Sequence, residues 1–217
     1  MSFGGIFNIN SKFSQFMSRL FDLVILNLIF IIMCIPVITI GINFTAMYYV
    51  SLKMINNEDT YIIRSYLKAF KENFKQSTSI WLILIAVGGI ITGDIYYTNN
   101  FIKGIGSYSK YLFYFLGIIS CFVMLYVFPI QSKFSNKIKN TMINSLSMSI
   151  RHLPYTILIM AIFIVPFVIC MNASFSFFFS YIFIGFSATI YINSIILNKI
   201  FKNYLQDGQA EHTDPAN

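Results

Sequence analysis

The chain has 217 residues, of which 57% are hydrophobic and 11% charged, and its formal net charge is +7. A soluble domain usually carries about 25% charged residues, so this composition excludes an ordinary soluble protein. Because the cations lie in short connections between apolar blocks, they indicate positively charged cytoplasmic loops, and no nucleic-acid partner is expected.

Five apolar blocks approach the length of about 20 residues that a membrane-crossing helix needs. In chain order they cover residues 20–35, 80–97, 111–128, 154–171 and 175–197. They predict a single integral membrane domain, residues 1–205, followed by a polar C-terminal tail, residues 206–217. The first block is not followed by a small-residue cleavage site, so we expect the N-terminal segment to be retained.

A short segment, Pro-Val-Ile-Thr-Ile-Gly at 36–41, interrupts the apolar run between residues 20 and 50. Pro36 ends or kinks a helix because it lacks an N–H group. Thr39 can cap a following helix by accepting a hydrogen bond from an exposed N–H, and Gly41 permits close packing. These three residues predict a structural turn.

Two topologies are compatible with this segment. A turn gives six membrane segments and places thirteen cations on one side against two on the other, whereas one kinked span gives eleven against four. The larger asymmetry favours six segments with both termini in the cytoplasm.

Residues 42–56 would form a helix of about 22 Å, short of the roughly 30 Å hydrocarbon core. The hairpin is therefore either full but short, or shallow and re-entrant.

Two cytoplasmic segments have the 3.6-residue period of amphipathic helices. The expected apolar stripes are Ile63, Tyr66, Leu67, Phe70 and Phe74 in the first and Phe134, Ile138, Met142, Leu146 and Ile150 in the second. Their basic residues would contact either the anionic inner leaflet of the lipid bilayer or a partner protein. They are Arg64, Lys68, Lys71 and Lys75 in the first and Lys133, Lys137 and Lys139 in the second.

Three glycines, Gly88, Gly89 and Gly93, lie in the block 80–97. Small residues at this spacing let helices approach closely. They indicate packing within the monomer or, as the alternative, pairing with another chain.

A few polar residues lie in or beside the predicted spans. Asp22 follows Arg19 by three residues, one helical turn, which predicts a local ion pair. Asn27 and Asn43 are expected to form hydrogen bonds across the hairpin.

The sequence contains no pattern typical of catalysis. It has no phosphate-binding loop, no HExxH motif and no Ser, His and Asp set. The three cysteines lie inside apolar blocks, where they behave as small hydrophobic residues. We therefore expect no enzyme, no catalytic residue, no cofactor and no metal.

Four segments follow one another along the chain: GGIFNINSKFSQFMSRLFDLVILNLIF, IPVITIGINFTAMYYVSLKM, YLKAFKENFKQSTSIW and YVFPIQSKFSNKIKNTMINSLSMSIRHLP. In this order they resemble the YesL family of bacterial integral membrane proteins, whose domain has no known function. The resemblance covers about residues 5–154. Family members are encoded beside sugar-uptake transporters of the ATP-binding-cassette type and carbohydrate-degrading enzymes, which implies a role near carbohydrate import. The family supplies no catalytic or ligand-binding residues.

The sequence thus predicts an all-α polytopic membrane helix bundle of about six segments, with two cytoplasmic amphipathic helices, in the bacterial cell membrane. The expected function is a non-enzymatic accessory role in carbohydrate uptake by an ATP-binding-cassette importer, with a sugar-importer permease as partner. The alternative is a small solute transporter or channel. An internal polar cavity would favour transport, with Asn27, Asn43, Asp22 and Asn193 as its candidate lining, whereas a packed bundle with an exposed groove would favour a partner.

Overall fold

The computed structural model describes residues 12–58, 61–102, 108–134, 136–172 and 181–212, with side chains in the last range described as far as Tyr204. These ranges are helical and contain no β-strand. The α-helices are α1 (Lys12–Met33), α2 (Ile40–Ile55), α3 (Ile62–Phe101), α4 (Ser109–Lys133), α5 (Ile138–Arg151), α6 (Leu153–Asn172) and α7 (Phe186–His212). A 3-10 turn, Val37–Thr39, precedes α2, and a π-helical turn, Tyr181–Gly185, precedes α7.

Six helical segments in these ranges are long and apolar enough to cross a membrane. They correspond to all of the α-helices except α5. The prediction of an all-α bundle with about six membrane segments is confirmed. The predicted block 175–197 begins at residues outside the described ranges, and its described part is the π-helical turn and α7.

Helices α1 and α2 form an antiparallel hairpin. Near the start of α1, the Arg19 guanidinium donates to the carbonyl oxygen of Met54 and, at 2.7 Å, to Oδ1 of Asn57, both at the far end of α2. At the other end, Thr39 and Asn43 contact the carbonyl of Met33. The interpretation of residues 20–50 as one kinked span is therefore wrong.

The predicted ion pair between Arg19 and Asp22 is also wrong. Among the described residues no salt bridge joins these two side chains, because the guanidinium is engaged by α2. Arg19 satisfies a carbonyl near the C-terminus of α2, where helix carbonyls lack intrahelical partners and a positive charge is favourable. It thereby holds the open end of the hairpin together.

Helix α2 lies at the centre of the bundle. Eleven of its 16 residues are buried, and it packs against α1, α3, α4 and α7. Phe44 links three helices: its ring centroid lies 5.3 Å from Phe30 of α1 and 5.9 Å from Phe128 of α4. Aromatic contacts of this kind stabilise a core by about 0.5–1.5 kcal/mol each beyond the area they bury.

Helix α3 is continuous over 40 residues, or about 60 Å. The first predicted amphipathic helix is therefore its N-terminal part and not a separate element. The polar residues 75–79 separate the amphipathic segment from the apolar block that begins at residue 80, but they include no Pro or Gly that would end the helix. Of the expected stripe, Tyr66 is fully buried, whereas Ile63 is 56% exposed.

The predicted apolar stripe beside and along α5 is largely confirmed. Phe134, Ile138, Met142 and Leu146 are partly buried and pack against the core, whereas Ile150 is exposed. The fully buried residues of α5 lie outside the predicted stripe and are Thr141, Ser145, Met148 and Ser149. Ser145 donates its hydroxyl to the carbonyl of Thr141 at 2.6 Å. A serine satisfied within its own helix packs as a small side chain, so α5 can lie close to α4.

One further prediction differs from the structure. A Cβ atom added at Gly88, Gly89 or Gly93 would meet nothing within 4 Å, so the interpretation that these glycines pack within the monomer is wrong. Helix α7 continues to His212 and so includes residues 206–212 of the predicted polar tail. Residues 213–217 of that tail lie outside the described ranges.

The tip of the α1–α2 hairpin meets α3 and α4 well before the far ends of these helices. Trp81 of α3 donates from Nε1 to the carbonyl of Val37 at 2.9 Å, and Phe128 of α4 packs against Gly41. Beyond Trp81, α3 continues to Phe101, which adds about 30 Å. The hairpin is therefore shallower than the α3–α4 pair, as in the re-entrant arrangement.

We expect Val37→Cys, in a protein without Cys34, Cys121 and Cys170, to resist a charged maleimide added to either side of sealed vesicles. The tip should lie inside the hydrocarbon layer, because α3 and α4 extend roughly 30 Å past it. Asn100→Cys and Lys139→Cys are the controls and should react from opposite sides. Labelling at residue 37 from the side that labels residue 100 would show a full-length hairpin.

Candidate functional site

The first candidate region is the predicted turn at Pro36, Thr39 and Gly41. Thr39 makes no capping bond to α2, which corrects the predicted cap. Its hydroxyl instead lies 2.8 Å from the carbonyl of Met33 and 2.7 Å from that of Pro36. Because both partners are carbonyl oxygens, the hydroxyl acts as a donor and ties the turn back to the end of α1.

Side chains complete the hydrogen bonding of the turn. The Met33 carbonyl also accepts from Asn43 Nδ2 at 2.5 Å, and the Val37 carbonyl accepts from Trp81. Tyr66 then donates from its hydroxyl to Asn43 Oδ1 at 2.9 Å. Carbonyls outside a helix are costly in lipid unless they have partners. This turn can therefore lie at membrane depth.

Gly41 lies where three elements touch. A Cβ atom at this position would lie 2.5 Å from Cβ of Trp81 and 3.0 Å from both Cε1 of Phe128 and the carbonyl oxygen of Ser77. Thr45, one turn along α2, shares a hydrogen bond of 2.9 Å with the Ser77 hydroxyl. The expectation of close packing at Gly41 agrees with this geometry.

The second candidate region is the basic surface, which the structure divides into two concave sites. A groove of about 1060 Å³ between α1 and the start of α3 is bordered by Arg64, Lys68 and Lys71, with Asp22 across it. Its floor includes the apolar side chains of Ile25, Ile63 and Leu67. Cations above an apolar floor suit a membrane surface or an amphipathic partner.

The other site is a polar cleft of about 640 Å³ between α2, α3, α4 and the α4–α5 connection. We call it the amide cleft, because four of its lining side chains are amides. Its lining includes Tyr49, Glu72, Asn73, Gln76, Gln131, Ser132, Lys133, Phe134, Asn136 and Lys137. Lys75 and Lys139 are exposed but border neither this cleft nor the groove.

A chain of hydrogen bonds forms one wall of the amide cleft. Asn73 donates to the carbonyl of Ala69 at 3.1 Å and accepts from Gln131 at 3.2 Å. Gln131 accepts in turn from the Thr141 hydroxyl at 3.3 Å. On the same side, Gln76 donates to the carbonyl of Asn136. These bonds connect α3, α4 and α5, so the wall is preformed.

The amides of the cleft were absent from the sequence predictions. Asn73 and Gln131 lie 58 residues apart, and neither has a neighbour in the sequence that indicates the contact. The available signal was the placement of Gln131 three residues after Phe128, the end of an apolar block. An amide there, 4% exposed, must find a buried partner.

The residues expected to line an internal polar cavity have separate surroundings. Asn43 bonds across the hairpin as predicted, but Asn27 does not. It donates to the carbonyl of Ile182 at 2.5 Å and accepts from the Ser187 N–H at 2.9 Å, joining α1 to the region before α7. Asn193 is fully buried, and neither its amide nitrogen nor its oxygen has a partner among the described residues.

Within the described ranges, no group of three or more His, Cys, Asp or Glu side chains is placed to hold a metal ion. Of the cysteines, Cys34 lies 3.4 Å from Asn43 Nδ2, while Cys121 is exposed on α4 between apolar neighbours.

A family model described as a protein of unknown function, DUF624, matches residues 23–95 of this chain. The matched segment contains most of the hairpin, its turn and all but the last six residues of α3, including the groove cations and the α3 residues of the amide cleft. Comparisons with curated proteins and with solved structures gave no match.

Proposed function

We propose that the protein is a non-enzymatic integral membrane protein of the YesL family that assists carbohydrate uptake by an ATP-binding-cassette importer. It would lie in the bacterial cell membrane with both termini in the cytoplasm. The carbohydrate role comes from the family resemblance. The structural support is a surface suited to docking a second membrane protein.

The observation that carries this proposal is the basic face of α3. Arg64, Lys68, Lys71 and Lys75 are all exposed, and they belong to the same unbroken helix that continues through the apolar span. Side chains fixed on one rigid helix keep constant spacing, which favours a defined partner over a diffuse attraction. Lys68 lies 3.9 Å from Glu72, whereas no salt bridge within the described residues involves Arg64, Lys71 or Lys75.

The proposal is tested by reversing three of these charges in Lys68→Glu, Lys71→Glu and Lys75→Glu together. The protein should still insert, because the apolar helices are unchanged, but recovery of a sugar-importer permease by affinity purification should fall at least about tenfold at low salt, where charge interactions are least screened. Lys110→Glu, a reversal at the far end of the bundle, should leave recovery unchanged. Equal recovery with the triple variant would contradict docking through α3.

A second candidate function is solute transport, favoured by one group of buried polar atoms. Asn193, Ser194 and Ser51 each carry a buried polar side-chain atom without a partner among the described residues. Such atoms are costly in a bundle core unless water or a solute reaches them. Purified protein that alone moves a labelled sugar into vesicles, and loses this activity in Asn193→Leu, would replace the accessory function with transport.

A further inference from the structure

The amide cleft carries an unbalanced charge. Two carboxylates lie in or beside it, and each already has a lysine partner: Glu72 lies 3.9 Å from Lys68, and Glu58 lies 3.6 Å from Lys53. Lys133 and Lys137 both border the cleft, and neither has a salt bridge within the described residues. Two positive charges therefore remain unneutralised at one concave site.

The backbone at both lysines is held in place. The Thr141 hydroxyl lies 3.3 Å from the carbonyl oxygen of Lys137 and 3.3 Å from Gln131 Oε1. It therefore links Gln131, in the wall of the amide cleft, to Lys137 directly before α5. On the other side, Ser132, directly before Lys133, donates to the carbonyl of Pro129 at 2.7 Å. The two lysine side chains thus extend from backbone positions that hydrogen bonds hold beside the same cleft.

Most of the remaining lining residues carry neutral hydrogen-bonding groups, and Phe134 adds an apolar contact. Tyr49 and Asn136 line the same cleft as the lysines. A second small cleft of about 240 Å³ adjoins it and shares Tyr49, Ser132 and Lys133. Lys133 therefore borders both the amide cleft and this second cleft. Together the two clefts can hold a ligand larger than a single phosphate ion.

We propose that the amide cleft binds a phosphate group, with Lys133 and Lys137 neutralising its charge and the neighbouring hydroxyl and amide groups donating to its oxygens. Phosphate carries up to two negative charges and several acceptor oxygens, which matches two ammonium groups beside neutral donors. The group could belong to an anionic lipid head group or to a soluble phosphate. This inference does not depend on the docking proposal, which rests on the cations of α3.

The test uses the full-length protein in an uncharged detergent. Its apparent Tm is measured with inorganic phosphate, with dihexanoyl phosphatidylglycerol, and with dihexanoyl phosphatidylcholine as the neutral lipid control, all at one ionic strength. The variant pair is Lys133→Gln with Lys137→Gln. The matched control, Lys75→Gln with Lys139→Gln, removes the same charge from exposed positions outside the cleft.

We expect a saturable rise in Tm for the wild type and the control pair, and an apparent affinity at least about tenfold weaker in the cleft pair, because two charge-assisted hydrogen bonds are lost. A rise with inorganic phosphate identifies a soluble ligand, and a rise with phosphatidylglycerol alone identifies a lipid head group. No rise with either compound, or equal weakening in both pairs, would overturn the proposal.

A second measurement does not depend on the stability of the double variant. In a protein without native cysteines, Glu72→Cys, which lines the cleft but is not assigned to phosphate binding, and Lys139→Cys are labelled with maleimide in the presence and absence of the compound that raised Tm. The compound should slow labelling at residue 72 several-fold and leave residue 139 unchanged. Equal rates at residue 72 with and without the compound would place the phosphate elsewhere.

Discussion

Replacement of Gly41 is expected to destabilise the protein more than replacement of Gly88, Gly89, Gly93 or Gly117, where an added Cβ atom meets nothing closer than 3.8 Å. Gly41→Ala adds one methyl group at 2.5 Å from Trp81 Cβ, a distance that real Cβ atoms do not tolerate. We expect a loss of about 1–3 kcal/mol for alanine and a larger loss for Gly41→Leu, measured as the decrease in apparent Tm in detergent.

The neighbours of Gly41 cannot easily move aside. One is a main-chain oxygen, at Ser77, and another is the Cβ of Trp81, whose ring is held by its hydrogen bond to Val37. A shift that relieves the clash would therefore break the contact between the hairpin tip and α3. The expected damage is local separation of α2 from α3 and not merely a repacked side chain.

Gly88→Ala is the matched control for this prediction. Gly88 also lies in a helix, but an added Cβ atom there meets nothing within 4 Å. Alanine is the better helix former by about 1 kcal/mol, so Gly88→Ala should leave the apparent Tm unchanged or raise it. A decrease in Tm equal to that of Gly41→Ala would contradict the assignment of the tight contact to Gly41.

The membrane segments and the hairpin could be predicted because their signals are local or additive. The length of an apolar segment identifies a membrane span even when the helices that pack against it are unknown. The distribution of Lys and Arg between the two sides of the membrane then favours six segments over five. Pro36 and Gly41 carry turn chemistry that can be recognised within a few residues. The same local reasoning correctly anticipated that Gly41 lies in a crowded place.

Pairings between distant residues could not be predicted in this way. Trp81 has the position of an interface aromatic residue, yet it bonds Val37, 44 residues earlier. The amphipathic segment and the apolar block after it form one helix, α3, because the polar residues 75–79 between them include no Pro or Gly that would end a helix. On α5 the buried face contains serine and threonine, since short hydroxyl side chains that bond their own helix resemble small apolar residues in packing.

The second large effect is expected at Asn43, which connects three parts of the structure. Its side chain is fully buried, donates to the Met33 carbonyl and accepts from the Tyr66 hydroxyl. Asn43→Leu has similar volume but leaves the Tyr66 hydroxyl without a partner, while the Met33 carbonyl keeps only its bond from Thr39. A stranded buried group costs about 1–3 kcal/mol, and the lost bond to Met33 adds to this cost, so the variant should be destabilised by at least this range and show a strongly reduced Tm.

A double-mutant cycle with Tyr66→Phe separates the hydrogen bond from packing. Tyr66→Phe alone should be destabilising, because Asn43 Oδ1 loses its donor. In the background of Asn43→Leu the same change should cost little or become favourable, since it removes a hydroxyl that is already stranded. Additive losses would show that the two residues act through packing and not through their shared bond.

Asn193→Leu is the matched control, because it makes the same substitution at an equally buried asparagine. The side-chain amide of Asn193 has no hydrogen-bond partner within the described residues. Its removal therefore leaves no donor or acceptor among these residues without a partner. Exchange of an unpartnered buried amide for an apolar side chain of similar size should be neutral or stabilising. Equal losses of Tm at residues 43 and 193 would contradict this account, because the difference between the two sites is the hydrogen bonds to Met33 and Tyr66.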